Sequence, residues 1–319
     1  MLYPTHKELF YQDEIKAPTE KPKVFLLSAT FLHSLSSCSN KTPVGFEWTN
    51  DINQSNVVVA TDAAIVEFTK PENQQQLLGK KKIWWLCEST AIINVMSDTL
   101  DYFSILRNHV DLVVTSDLGI ISKYPNVHYC PNGSNIPWVP GGEQQIYPKT
   151  KNISMIASAK QMCPGHIVRA GVAKQAIETG KIDVFGGAAG STRVGVDTSS
   201  WTTHIHPTKK DILFDYRYSI AMENAIYPTY FTEKVTDCFA TGTIPIYWGD
   251  YNLCKYFNTK GIIFLQNFMS GDTVNFDKLL DACTPEYYEQ NIDAVQENFE
   301  RVQKLKMADD FLFEYYLKG

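Results

Sequence analysis

The chain lacks a long apolar run and an excess of basic residues. None of its 319 residues lie in a stretch approaching the ~20 apolar residues of a membrane span, and the N-terminus lacks the basic start and apolar centre of a signal peptide. The formal net charge is −6. Because nucleic acid and anionic membranes attract basic surfaces, we expect neither as a partner, and any anion site must be local.

Paired motifs that would indicate a metal or a disulfide framework are also missing. The cysteines number seven, and no two have CxxC spacing, which favours a reducing cytosol over a secreted, cross-linked fold. No DxD motif occurs, so we expect no metal and no other required cofactor. The sequence also has no GxGxxG after its first predicted strand, which disfavours an NAD-dependent oxidoreductase.

Two short patterns are weak candidates for ligand sites. His204 and His206 fall on one face of a strand and have no third ligand nearby, so we do not expect a metal there. The glycine cluster 186–190 has the wrong spacing for a dinucleotide fingerprint. We interpret it as a flexible loop.

Short apolar runs recur along the chain at spacings that leave room for crossover helices. This rhythm predicts an α/β fold with parallel sheets. A turn-rich segment at 131–148 separates the runs into two groups and predicts domains at 1–149 and 150–319. The predicted strands are 24–27, 57–60, 83–87, 112–115, 127–129, 153–157, 182–185, 218–222, 244–248 and 262–264.

The segment 216–250 contains the strongest local signals. Its apolar run 218–222 predicts a buried strand, Thr232 predicts a helix N-cap followed by Glu233 in the first turn, and Gly242 can end that helix. Free N–H groups at a helix start favour anions, and Lys234 adds a positive charge there. An ordinary cap with a surface lysine is the alternative. The pair Glu223-Asn224 at the end of the preceding strand favours a ligand site, since ligands bind at such ends.

This segment resembles the donor-binding motif of the glycosyltransferase family 10 fucosyltransferases. The matching stretches are Met222-Glu223-Asn224-Ala225, Tyr230-Phe231-Thr232-Glu233-Lys234 and Thr243 through Gly249. Met222 and Ala225 depart from the family's aromatic residue and serine. The resemblance implies the GT-B architecture, in which two Rossmann-like domains face a cleft, with the acceptor side at 1–149 and the nucleotide-sugar site at 150–319.

The resemblance also implies roles for the residues of the motif. Glu233 is expected to hold the nucleotide ribose and Glu223 the transferred sugar, while Asn224, Tyr230 and Thr232 complete the donor pocket. Asn224 could equally end the strand structurally. Because the sequence shows no apolar anchoring run, the chain looks more like the soluble bacterial or viral members, and we expect the cytosol of a bacterium or of a virus-infected cell.

A second cation is predicted at Arg169, early on a helix that follows the strand 153–157. An arginine suits a diphosphate because its planar fork donates two hydrogen bonds and stays charged when water is excluded. A solvated helix arginine is the alternative. The family has an arginine in the same order after a strand ending in Ala-Ser, as at Ala157-Ser158. We expect Arg169 and Lys234 to share the leaving nucleoside diphosphate.

The candidate catalytic residue is Glu88, at the carboxyl end of the strand 83–87. Inverting sugar transfer needs a base that takes the proton of the acceptor hydroxyl, and a carboxylate can do this. In the resembled family a glutamate in a similar context is the proposed base. The alternative is that Glu88 caps a helix near Ser89 or Thr90.

These observations predict an inverting transferase, most specifically an α1,3-fucosyltransferase, with GDP-fucose as donor and an oligosaccharide as acceptor. Two alternatives remain: a transferase of the same fold for another nucleotide sugar, and a glycan- or nucleotide-binding protein without turnover. The sequence does not indicate the acceptor or the oligomeric state.

Overall fold

The computed structural model describes residues 9, 17–27, 36–38, 41–92, 100–158, 160–186 and 210–318. By their internal contacts the residues divide into two compact units. The first comprises Met1–Ile136, Tyr227–Tyr230 and Leu305–Gly319, and the second comprises Pro137–Ile226 and Phe231–Lys304. The predicted boundary assigns all of 150–319 to one domain, whereas in the structure the last residues, Leu305–Gly319, belong to the first unit.

The first unit is built on a parallel sheet of six strands in the order β2-β1-β3-β4-β5-β6. These strands are β1 (Lys23–Leu27), β2 (Glu47–Thr49), β3 (Val57–Thr61), β4 (Lys81–Leu86), β5 (Leu112–Thr115) and β6 (Val127–Tyr129). Five of them were predicted from apolar runs. The edge strand β2 was not, because its sequence EWT has a single strongly apolar residue and pairs only through β1.

Both faces of this sheet are covered. In β4 the neighbouring side chains of Trp84 and Trp85 are fully buried and point to opposite faces, where each joins a separate apolar cluster. That burial on both sides explains why β4 has an unbroken apolar run rather than an alternating pattern.

The second unit contains a parallel sheet of five strands in the order β11-β10-β9-β7-β8. They are β7 (Lys151–Ile156), β8 (Asp183–Phe185), β9 (Tyr216–Met222), β10 (Ile244–Trp248) and β11 (Ile263–Phe264), and a small antiparallel pair consists of β12 (Met269–Ser270) and β13 (Thr273–Val274). The α/β class with two parallel sheets, predicted from the sequence, is confirmed.

Six of the helices named below lie between strands in the sequence, and four follow the last strand. The first unit has α1 (Gln74–Leu77), α2 (Leu100–Leu106), α3 (Leu118–Lys123) and α10 (Ala308–Leu312). The second has α4 (Pro164–Thr179), α5 (Ile212–Asp215), α6 (Glu233–Ala240), α7 (Phe276–Ala282), α8 (Pro285–Gln290) and α9 (Ile292–Gln303). Within the described ranges no helix combines the length and the apolar character that crossing a bilayer requires.

Two buried carboxylates fix the C-terminal segment in the first unit. Asp309 accepts hydrogen bonds from the Ser37 backbone and from Trp48 Nε1, the latter at 2.7 Å. Asp310 accepts from the Val44 and Gly45 N–H groups at 2.7 and 3.2 Å. These long-range bonds satisfy backbone groups that no sheet partner reaches.

Candidate functional site

The centre of the candidate site is the turn between β9 and α6 in the second unit. Strand β9 ends at Met222, and helix α6 begins at Glu233 with Thr232 as its N-cap. The Thr232 side chain accepts a hydrogen bond from the Lys234 N–H, as the sequence predicted. Gly242 adopts φ 70°, and the left-handed turn after α6 is therefore confirmed.

Glu223 holds the start of this helix. Its side chain is fully buried, and its two carboxylate oxygens accept hydrogen bonds from the N–H and the hydroxyl of Thr232 at 2.9 and 2.7 Å. Burial raises the pKa of Glu223, although the Lys234 ammonium opposes that rise. From the family resemblance we expected Glu223 to contact the transferred sugar. The contacts observed are with Thr232 at the N-terminus of α6, and the sugar contact of Glu223 stays a prediction.

Tyr247 lies on the other side of Glu223. Burial and the neighbouring Glu223 carboxylate raise the pKa of the Tyr247 hydroxyl. Its phenol crosses the backbone of Gly249, where a Cβ atom would lie 2.2 Å from the hydroxyl oxygen. The glycine that follows β10 therefore gives this tyrosine room to reach Glu223.

Lys234 and Glu233 form the outer part of the site. The Lys234 Nζ lies 3.1 Å from a Glu233 carboxylate oxygen, 3.0 Å from the Thr232 hydroxyl and 3.8 Å from Glu223. Burial acts to raise the pKa of Glu233, but the Lys234 and Lys210 ammoniums outweigh it and leave that pKa lowered. Lys234 keeps 24% of its side chain exposed, whereas Glu223 has none. The ammonium is thus the charged group of this turn that solvent reaches most easily.

Arg169 reaches the same turn from helix α4. The residue is buried, and its Nη2 donates to the Met222 carbonyl and to the Asn224 Oδ1, both at 2.8 Å. The guanidinium contacts residues 222 and 224, and the ammonium lies near residue 223. The structure therefore brings the two cations predicted from sequence to one corner, which we call the β9 corner (Met222, Glu223 and Asn224 with Arg169 and Lys234).

A histidine that the sequence analysis missed completes the β9 corner. The Met162 N–H donates to His166 Nδ1 at 3.1 Å, and consequently the Nε2 carries the proton and donates to Asn224 Oδ1 at 3.0 Å. Burial and the nearby Arg169 lower the pKa of His166, with smaller contributions from Lys160 and Lys234. Its position three residues before Arg169 on α4 was the available signal, since side chains at that spacing share a helix face.

Asn224 is oriented by these two donors. Its Oδ1 accepts from both Arg169 and His166, so its NH₂ group must point to the opposite side. The approach of α4 is close, because a Cβ on Gly165 would lie 2.1 Å from the Asn224 carbonyl oxygen. Asn224 lies two residues beyond the end of β9, and it presents its NH₂ donor group on one side only.

A buried ion pair one turn further along α6, between Lys210 and Asp237, fixes the helix in the second unit. Lys210 Nζ lies 2.9 Å from Asp237 Oδ2, and Asp237 Oδ1 accepts from the Trp138 and Val139 N–H groups at 2.7 and 3.0 Å. Asp237 and Glu233 raise the pKa of Lys210 against the effect of burial. No local sequence pattern indicates this pair, because Lys210 and Asp237 belong to different elements of the chain.

Tyr230 and Glu88 lie in the first unit. Tyr230 is buried and meets Tyr227 edge-on, with ring centroids 6.4 Å apart. Glu88 follows the end of β4 as predicted, is partly exposed, and donates its N–H to Asp62 Oδ1 at 3.1 Å. The alternative of a helix cap at Ser89 or Thr90 extends into 93–99, outside the described residues. The roles of Tyr230 and Glu88 stay predictions.

The other candidate ligand positions are the histidine pair and the glycine cluster. His204, His206 and the glycines at 187 and 190 lie outside the described residues. In the part of the chain that the structure describes, no three His, Cys, Asp or Glu side chains are grouped as metal ligands would be.

Comparison with known proteins identifies the segment that contains the β9 corner. Residues 146–290 match the family model described as glycosyltransferase family 10 (fucosyltransferase) C-term. An alpha-(1,3)-fucosyltransferase FucT of Helicobacter pylori is 36% identical over 73 residues, which are 23% of this chain and 14% of that protein. A putative fucosyltransferase R654 of Acanthamoeba polyphaga mimivirus is 36% identical over 58 residues, 18% of this chain and 10% of that protein. The matched segments are therefore a small part of either relative.

Solved structures share the fold over nearly the whole chain. A crystal structure of an alpha1,3-fucosyltransferase with GDP-fucose has a TM-score of 0.54 at 15% identity and covers 98% of this chain and 93% of its own. A second crystal structure of an alpha1,3-fucosyltransferase has a TM-score of 0.53 at 16% identity and covers 95% and 92%. The predicted GT-B fold class is confirmed. Residues 146–290, the segment that carries Arg169, Glu233 and Lys234, match the glycosyltransferase family 10 (fucosyltransferase) model and are a little under half of the chain.

Proposed function

We propose that the chain is an inverting glycosyltransferase that moves L-fucose from GDP-fucose to a glycan hydroxyl in an α1,3-type linkage. The observation that carries this proposal is the β9 corner, where a buried arginine contacts residues 222 and 224 and a lysine at the N-terminus of α6 lies near Glu223. The family match over residues 146–290 and the fold shared with a fucosyltransferase solved with GDP-fucose support the choice of donor.

The β9 corner provides what a leaving diphosphate requires. A helix start offers N–H groups and the positive end of its dipole, and two cations add full charges. Charge that develops on the β-phosphate as the sugar leaves would be stabilised by groups already in place, which lowers the barrier without reorganisation. The cations of Arg169 and Lys234 supply this neutralisation in the proposal, and no metal is needed for it.

The remaining contacts with the nucleotide sugar are assigned from the charge and the hydrogen-bonding groups of each side chain. Glu233 stays ionised and suits the ribose hydroxyls, which donate hydrogen bonds to a carboxylate. The Asn224 NH₂ group, turned away from Arg169 and His166, suits an acceptor atom of the nucleotide or sugar. Glu223 acts through Thr232, because its own oxygens are engaged at the helix start.

Glu88 is the base in this proposal. The proton of the acceptor hydroxyl passes to the Glu88 carboxylate as the hydroxyl oxygen forms a bond to C1 of fucose. The bond from C1 to the phosphate oxygen breaks at the same time, and GDP leaves with its electron pair. A single displacement of this kind inverts the configuration at C1.

A nucleotide panel tests the donor, and one variant tests turnover. We expect GDP and GDP-fucose to raise the melting temperature of the protein and UDP or CMP to leave it unchanged, since selective binding stabilises the folded state. We expect Glu88→Gln to lose transfer by roughly 100-fold or more while it binds GDP normally, because only the base is removed. Glu72→Gln, an exposed glutamate of the same unit, is the control.

The outcomes separate the three candidate functions. A response to UDP or CMP in place of GDP would assign another nucleotide sugar. Binding of GDP without any transfer or hydrolysis of GDP-fucose by the wild type would indicate a binding protein. NMR of the product from GDP-fucose reports the anomeric configuration, and retention at C1 would contradict the inverting mechanism.

A further inference from the structure

Asp62 has a backbone conformation that is uncommon for a residue with a side chain. It follows β3 directly, is buried, and has φ 48°, in the left-handed region. Aspartate is among the few residues other than glycine that adopt this region, and such outliers persist only where their surroundings hold them. It begins the 3₁₀ helix Asp62–Thr69 of the first unit.

The contacts of Asp62 are with the end of the neighbouring strand. Its Oδ1 accepts from the N–H groups of Cys87 and Glu88 at 2.8 and 3.1 Å. Its backbone carbonyl accepts from Trp84 Nε1 at 2.9 Å. The Asn132 side chain donates to the Cys87 carbonyl from another part of the same unit. Side chains therefore bond to the N–H groups of Cys87 and Glu88 and to the Cys87 carbonyl.

These hydrogen bonds lie immediately after the last residue of β4 that pairs within the sheet. The last residue of β4 to pair with β5 is Leu86, opposite Thr115. Beyond Leu86 the two consecutive N–H groups of Cys87 and Glu88 both donate to the Asp62 side chain. A base must be held within roughly 0.5 Å of its working position.

We propose that Asp62 is a positioning residue: by holding the backbone just after β4, it sets the direction in which the Glu88 side chain points. The inference rests on the proposed function, in which Glu88 is the base. Its left-handed backbone aims one carboxylate oxygen at both N–H groups. Asparagine tolerates this backbone region and retains an oxygen acceptor, whereas glycine tolerates the region and has no acceptor.

The test compares Asp62→Asn, Asp62→Gly and Asp62→Ala with Glu88→Gln. GDP release from GDP-fucose is measured with N-acetyllactosamine and with water alone as acceptor. We expect Asp62→Asn to keep at least a third of the wild-type kcat. Asp62→Gly and Asp62→Ala should lose at least 10-fold in kcat, with GDP affinity by calorimetry within twofold of wild type. The control is Asp51→Gly, which removes a carboxylate that caps another 3₁₀ turn of the same unit.

Two further readouts separate positioning from a general loss of structure. Hydrogen exchange of the Cys87 and Glu88 amides should be faster in Asp62→Gly and unchanged in Asp62→Asn. The double variant Asp62→Gly with Glu88→Gln should be no slower than Glu88→Gln alone, because a base that is absent cannot be misplaced.

Each outcome has a distinct meaning. Wild-type kcat in Asp62→Gly, together with a large loss in Glu88→Gln, would overturn the inference and leave the proposed function intact. Full activity in Glu88→Gln would overturn the base assignment and the inference with it. Failure of the wild type to bind GDP or to consume GDP-fucose would overturn the proposed function itself.

Discussion

His166 links Asn224 to helix α4 through a neutral imidazole. Its Nδ1 must accept the Met162 N–H and its Nε2 must donate to Asn224, an arrangement that a protonated ring cannot make because both of its nitrogens are donors. Arg169, Lys160 and Lys234 are the positive groups that act on this ring, and with burial they lower its pKa. The neutral form is therefore part of how the β9 corner is built.

A pH prediction follows for His166. Because the folded pKa lies below the unfolded value of 6.5, the unfolded chain binds protons first as the pH falls below about 6.5. The stability contribution of this residue is complete above pH 6.5 and declines below it. Urea unfolding of wild type and His166→Phe should show a difference in free energy of unfolding that is larger at pH 7.5 than at pH 5.5.

His109, an exposed histidine, provides the control for that measurement. His109→Phe should change the stability by a similar small amount at both pH values. If the gap between wild type and His166→Phe widened on acidification, the neutral-imidazole description of the β9 corner would be wrong.

At the residue scale, local signals were predictable and long-range contacts were not. Thr232, Glu233 and Lys234 were found from capping rules that operate within one helical turn. Glu223 was found, but its partner was not, since both of its bonds to Thr232 depend on how the loop folds back. Asp62 shares no local pattern with Glu88, and only the pairing of β3 with β4 brings the two together.

Helix α4 positions the β9 corner through its first turn. Pro164 and Gly165 begin the helix, and Gly165 lies against the Asn224 carbonyl where no Cβ fits. Gly171 lies later on the same helix, with open space around the position of a Cβ. The two glycines therefore differ in what a methyl group would meet.

This difference predicts opposite effects of the same substitution. Gly165→Ala should destabilise the protein by roughly 1–3 kcal/mol and weaken GDP binding, because the methyl group would push α4 away from backbone atoms of the site. Gly171→Ala should raise the stability by up to ~1 kcal/mol, since alanine favours a helix more than glycine does. Chemical denaturation and calorimetry with GDP measure both effects. A stable Gly165→Ala variant with normal GDP affinity would show that the close approach has no importance for the site.

The elements themselves followed largely from apolar runs and turn residues. Strands β5, β6 and β10 lie where the sequence placed them, at Leu112–Thr115, Val127–Tyr129 and Ile244–Trp248. The edge strand β2 was missed because three residues are too few to show the alternation of a strand. Its residues also pair with β1 residues that lie more than 20 positions earlier in the chain.

For the whole molecule, the two parallel sheets were predictable and the path of the C-terminal segment was not. Leu305–Gly319 packs with the first unit, where Ala308, Phe311 and Leu312 join the apolar cluster beneath β1 and β4. A helix with apolar residues can pack against any sheet of suitable shape. Asp309 and Asp310 specify the sheet of the first unit, because they accept hydrogen bonds from backbone groups more than 260 positions away in sequence.

The proposed activity depends on the chain holding a nucleoside diphosphate between two cations of its second unit. Arg169→Met and Lys234→Met remove one charge each and keep a flexible, unbranched side chain. Lys174→Met removes an exposed charge from the same helix as Arg169 and serves as control. Guanosine, which lacks phosphate, reports any general damage to the nucleotide site.

The most direct measurement is therefore the affinity for GDP and for guanosine of these variants, determined by isothermal titration calorimetry. Each of the two site variants should bind GDP roughly 10- to 100-fold more weakly, as expected for the loss of a charged hydrogen bond worth ~1.5–3 kcal/mol, and should bind guanosine as the wild type does. The control should match the wild type for both ligands. Wild-type affinity for GDP in Arg169→Met and Lys234→Met would contradict the account.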